Sequence, residues 1–104
     1  MGQVVWTDPA IDDLNEIMNF IARDSPQYAA TTGARIVEGS RGLEQSPRSG
    51  GRVPEFDLDH IREIIRRPYR IIYEIRGDDC FILAVVHGSR EIGSVLNPID
   101  NPEV

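Results

Sequence analysis

The chain has 104 residues, 40% of them hydrophobic, and a formal net charge of −6, a length that supports one domain around one modest core. No apolar run approaches the roughly 20 residues that a membrane helix needs, and the N-terminus MGQVVWTD lacks the regions of a signal peptide. The single cysteine, Cys80, excludes an internal disulfide and a cysteine-built zinc site, so the expectation is a cytoplasmic protein without metal or cofactor.

Residues 3–6, QVVW, are a short strand candidate. Thr7-Asp8-Pro9 then starts a helix, with Asp8 placed to cap it and Pro9 suited to the first helical position. Ile11, Leu14, Met18 and Ile21 follow at spacings of three and four, beside Ile17, and predict an amphipathic helix ending near Arg23. Asp24-Ser25-Pro26 repeats the start signal for a second helix running to about Gln45. Its inner stripe of Ala29, Gly33, Ile36, Ser40 and Leu43 is small enough for close helix approach. The short link predicts an antiparallel helical hairpin.

The segment SPRSGGRVPEFDLD, from Ser46 to Asp59, is rich in breaker residues and predicts a loop. Three strands follow, at 61–66, 69–76 and 80–87, linked by Arg67-Pro68 and by the hairpin turn Gly77-Asp78-Asp79. In the middle strand Tyr69, Ile71, Tyr73 and Ile75 alternate with Arg70, Ile72, Glu74 and Arg76. A period of two sends the first set toward the helices and the second to an open face. The order β-α-α-β-β-β describes an α+β domain, with the N-terminal strand and the antiparallel helical hairpin packed on an antiparallel sheet of the last three strands. The first strand pairs with either the last or the middle one. Residues 1–90 are expected to form the single domain, and 91–104, with Pro98 and Pro102, an extended or partner-ordered tail.

Every basic residue is arginine. Residues 48–73 hold six arginines against four acids and are the only net-positive stretch, while the overall acidity disfavours broad nucleic-acid binding and no direct sequence-specific contact is expected. Alternation puts Arg62, Ile64 and Arg66 on one face, and with Arg67 and Arg70 they could form a basic stripe. Arg52, Arg62, Arg66, Arg70 and Arg90 are therefore the candidates for binding a partner, since guanidinium suits bidentate contact with carboxylate or phosphate. Structural alternatives stand beside each. Arg70 could pair with Glu63 or Glu74, Arg52 could pair with Glu55 across a turn set by Pro54, and the stripe could be a solvated face. His87 could hydrogen-bond a backbone group or, ionising near neutral pH, do chemistry.

The loop PRSGGRVPE (47–55) and the strands IRE (61–63), YRIIYEI (69–75) and ILAVVHGSR (82–90), taken in order, resemble toxins of the RelE/ParE superfamily, most closely the ParE branch. The resemblance covers nearly the whole chain and implies a bacterial toxin silenced by a cognate antitoxin. The superfamily contains two activities: ParE-like inhibition of DNA gyrase, and RelE-like cleavage of mRNA on the ribosome. By resemblance Glu55 stands where some ribonuclease members place a basic carboxylate, and Arg70 and Arg90 where they place phosphate-binding arginines. Their terminal tyrosine or histidine is missing from EIGSVL, residues 91–96, and His87 comes three residues too early. RNA cleavage needs a base, a phosphate-stabilising charge and an acid. The resemblance therefore implies a gyrase inhibitor first, a ribosome-dependent endoribonuclease using Glu55, Arg70, His87 and Arg90 second, and a non-toxic antitoxin-binding module third.

Overall fold

A computed structural model describes residues 2–88; Arg90 and the tail at 91–104 lie outside the described residues. The elements are β1 (Val4–Trp6), α1 (Asp8–Ala22), α2 (Pro26–Arg41) with a following 3-10 turn (Gly42–Glu44), β2 (Gly51–Arg52), β3 (Ile61–Arg66), β4 (Tyr69–Arg76) and β5 (Asp79–His87).

Both helices start on a hydroxyl and a proline. Thr7, and not Asp8, caps α1: its side chain accepts from the Ala10 N–H, while Asp8 is the first helical residue. Ser25 caps α2 in the same way, accepting from Tyr28. Each cap satisfies a backbone donor that the first helical turn leaves open. The second helix ends at Arg41, short of the predicted Gln45, and tightens into the 3-10 turn at Gly42. The predicted inner stripe is the buried one, with Ala29, Gly33, Ile36, Ser40 and Leu43 all inside. At Gly33 a Cβ would stand 2.6 Å from Met18 Sδ, so the missing side chain is what lets α2 approach α1.

The sheet has five strands in the order β1-β5-β4-β3-β2. The last three are antiparallel as expected, and β1 resolves the open choice by pairing with β5, in parallel, from Val4 opposite Cys80 to Trp6 opposite Ile82. Gly51 and Arg52, expected as loop, form an edge strand opposite Glu63 and Arg62.

The helix-facing core holds Ile71, Tyr73, Cys80, Ile82 and Val85 with Ala10, Ile36 and Leu43. The other face departs from expectation. It was to be open, yet Ile72, Leu83, Ala84 and Val86 form a second buried cluster on it, covered by Val53 and Phe56 from the loop before β3. A bulge makes this possible. Ile72 pairs with Ala84 while Tyr73 pairs with Ile82, so Leu83 is the extra residue and both Leu83 and Ala84 join the second cluster.

Candidate functional site

Three arginines of the predicted set divide between the two sheet faces. Strand partners directly opposite each other share a face. Arg62 lies opposite Tyr73, and Arg66 opposite Tyr69, which puts both on the helix side. Arg70 lies opposite Ile65 and Val86, on the other side. The single stripe joining Arg62 and Arg66 to Arg70 is thus not formed, because the antiparallel register sets Arg70 opposite Ile65, which alternates to the other face from Arg62 and Arg66.

Arg70 is 8% exposed and enclosed by two carboxylates. Its Nη atoms donate to both oxygens of Glu55 at 2.9 Å, and its Nε donates to Glu63 Oε1 at 2.7 Å. The Glu55 hydrogen bonds, with Glu63 behind them, raise the Arg70 pKa above its ordinary value against the opposing effect of burial. Glu63 was an expected partner; Glu55 was expected to pair with Arg52 and instead turns inward to Arg70. A groove of about 410 Å³ lies over this trio, walled by Pro54, Ile65, Arg67, Pro68, Tyr69 and Gly88.

His87 is elsewhere. It pairs with Tyr69 across the strands, its ring meeting the Tyr69 ring edge-on with centroids 5.9 Å apart. It lines a separate groove of about 470 Å³ with Asp13, Glu16, Ile17, Phe20 and Val85. Tyr69 borders both grooves and divides them. Glu55 and Arg70 are brought together, then, and His87 is not brought to them.

A second arginine cluster went unrecognised in the sequence. Arg48 Nη1 meets Asp59 Oδ2 at 2.6 Å, while Arg62 Nη2 at 2.9 Å and Arg52 Nη2 at 3.3 Å share Asp59 Oδ1. Arg52 also reaches Asp57 at 3.4 Å. Hydrogen bonding from Arg48, and then from Arg62 and Arg52, lowers the Asp59 pKa from 3.8 to about 2. Arg62 is fixed independently of that carboxylate, by the carbonyls of Asp59 at 2.9 Å and Gly50 at 2.8 Å. Below it the buried Tyr73 hydroxyl donates to the Pro47 carbonyl at 2.6 Å and accepts from the Gly50 N–H at 3.1 Å. Arg48 and Asp59 lie eleven residues apart in a segment without periodicity, so only the folded loop reveals their meeting.

The family model of the ParE toxin of the parDE type II toxin-antitoxin system matches residues 4–92. The chain belongs to the ParE toxin family. This toxin is 35% identical over 99 residues to the "Putative toxin Y4kP" of Sinorhizobium fredii, covering 90% of this chain and 96% of that one. It is 30% identical over 90 residues to Toxin RelE2 of Caulobacter vibrioides, covering 86% and 99%. A chain of the chromosomal ParDE system from P. aeruginosa shares its fold, with a TM-score of 0.69 at 24% identity over 84% of this chain and 96% of that chain. A chain of the RelBE2 toxin-antitoxin complex from Mycobacterium tuberculosis gives 0.57 at 26% identity over 83% and 90%. These names come from both branches, and the two solved chains share the α+β fold of this one.

Proposed function

We propose that this ParE-family toxin inhibits DNA gyrase by binding it, without cutting RNA, and that a cognate antitoxin in the same cytoplasm neutralises it. The observation that carries the reading is the state of Arg70. A phosphate-stabilising arginine must meet the reacting phosphate in a site that also holds a base and an acid. Here the guanidinium is committed to Glu55 and Glu63, and His87 stands in a different groove. The family match to the ParE toxin supports the same choice.

Purified toxin, free of antitoxin, is expected to lower gyrase supercoiling and raise the level of cleavage complexes. Unchanged gyrase activity at saturating toxin sinks the proposal. The ribonuclease reading keeps one specific support, the Glu55–Arg70 pair beneath an open groove. It requires cuts in mRNA on translating ribosomes, lost in Arg70→Ala; transcripts that stay intact after toxin induction exclude it. Normal growth on induction without antitoxin would leave the antitoxin-binding module as the remaining reading.

A further inference from the structure

The four acids of the net-positive stretch are unevenly shared. Glu55 and Glu63 are taken by Arg70, which leaves two acids, Asp57 and Asp59, against the other five arginines of the stretch, Arg48, Arg52, Arg62, Arg66 and Arg67. Three of those five converge on the single carboxylate of Asp59. The convergence is on the surface: the Arg48 and Arg52 side chains are 59% and 50% exposed, and Asp59 is 48% exposed. Arg62 is the exception, at 14%, held by the Gly50 and Asp59 carbonyls whether or not a carboxylate is present.

We propose that Arg48, Arg52 and Arg62 form a carboxylate-binding site for an acidic segment of the antitoxin, and that Asp59 fills this site in the isolated toxin and gives it up when the segment arrives. The proposal rests on the antitoxin reading above and is independent of the gyrase reading. A carboxylate is the fitting occupant because the site already holds one, in contact with guanidinium donors that match its geometry. An incoming aspartate or glutamate exchanges with Asp59 like for like. Arg62 is pre-positioned, so less ordering cost falls on the partner. The pairs to Asp59 are exposed and individually weak, and exchange is therefore accessible in a way that the enclosed Arg70 pairs do not allow. The acidity of the rest of the chain disfavours a nucleic acid at the same place.

Titration calorimetry at low ionic strength tests this with hexaglutamate as the probe, against the unaltered toxin, Asp59→Asn, and the double variant Arg48→Gln/Arg52→Gln. Removing the internal competitor is expected to tighten hexaglutamate binding about tenfold, and removing the two arginines to weaken it at least about tenfold. Equal affinity for the unaltered toxin and Asp59→Asn overturns the proposal, since Asp59 then occupies nothing. Tighter binding of inorganic phosphate than of hexaglutamate also overturns it and makes this a phosphate subsite. If Asp59→Asn does not fold, nitrogen-labelled guanidinium resonances of the unaltered toxin decide the matter. Saturable shifts at Arg48 and Arg52, with none at Arg23, support the site; no shift at Arg48 and Arg52 overturns it. The titration contains neither antitoxin nor gyrase, so its failure leaves the functional reading standing, and failure of that reading leaves the titration result intact.

Discussion

Arg70 has left water for two glutamates, and its replacement exposes how much of its role is structural. Arg70→Ala leaves Glu63, with 12% of its side chain exposed, half-buried beside an empty space. Loss of one partner of a buried pair costs about 3 kcal/mol, so urea denaturation should show a midpoint lowered accordingly. Any loss of toxicity in that variant must be read against its stability. Tyr73 is the other buried polar anchor. Tyr73→Phe removes a hydroxyl that both donates and accepts and strands the Gly50 N–H. The expected cost is about 1–3 kcal/mol, read by the same denaturation.

Asp59 contributes through charge in the opposite setting, on the surface. Its folded pKa lies below the unfolded value, so its stabilising effect is complete above about pH 4 and is lost as pH falls from 3.8 through about 2. Thermal melts across that window should show a smaller pH dependence for Asp59→Asn than for the unaltered toxin.

Among the elements, β4 was the most legible. Its strict alternation set the helix-facing residues correctly, because Tyr69, Ile71, Tyr73 and Ile75 are apolar where the partner set is mixed. The caps were legible from Thr7 and Ser25 beside prolines, to within one residue at the first. Two features were not. The bulge at Leu83 is invisible in FILAVV, where every residue is apolar and no period distinguishes the faces. The edge strand β2 is only two residues long, and what makes it a strand is its pairing with Arg62 and Glu63, far along the chain. Gly50 is what allows that strand to lie so close. A Cβ there would stand 2.5 Å from the Glu63 carbonyl oxygen and 2.7 Å from the Tyr73 hydroxyl. Gly50→Ala should therefore cost about 2 kcal/mol and loosen the loop, with faster amide exchange at Arg52 and Val53 as the readout.

For the whole molecule, the central fact is that the sheet separates its arginines. Charge counting along the sequence found the positive centre but could not tell one surface from two. Across the sheet, Arg66 and Arg70 share no side-chain hydrogen-bonding partner among the described residues. The stability effects of Arg66→Ala and Arg70→Ala should add to within about 0.5 kcal/mol, whereas Arg70→Ala and Glu55→Ala should couple. A double-mutant cycle by chemical denaturation checks both statements.

The parallel pairing of β1 with β5 ties the first strand to the last. Chains emerge from the ribosome N-terminus first, and the segment from Val4 to Trp6 must wait for residues 80–82 before it has a neighbour to bond. Thr7 waits with it, since both its N–H and its hydroxyl donate to the Ile82 carbonyl. A nascent chain accordingly cannot close its sheet on β1 until Ile82 has been translated, after both helices and the β3–β4 hairpin have been made.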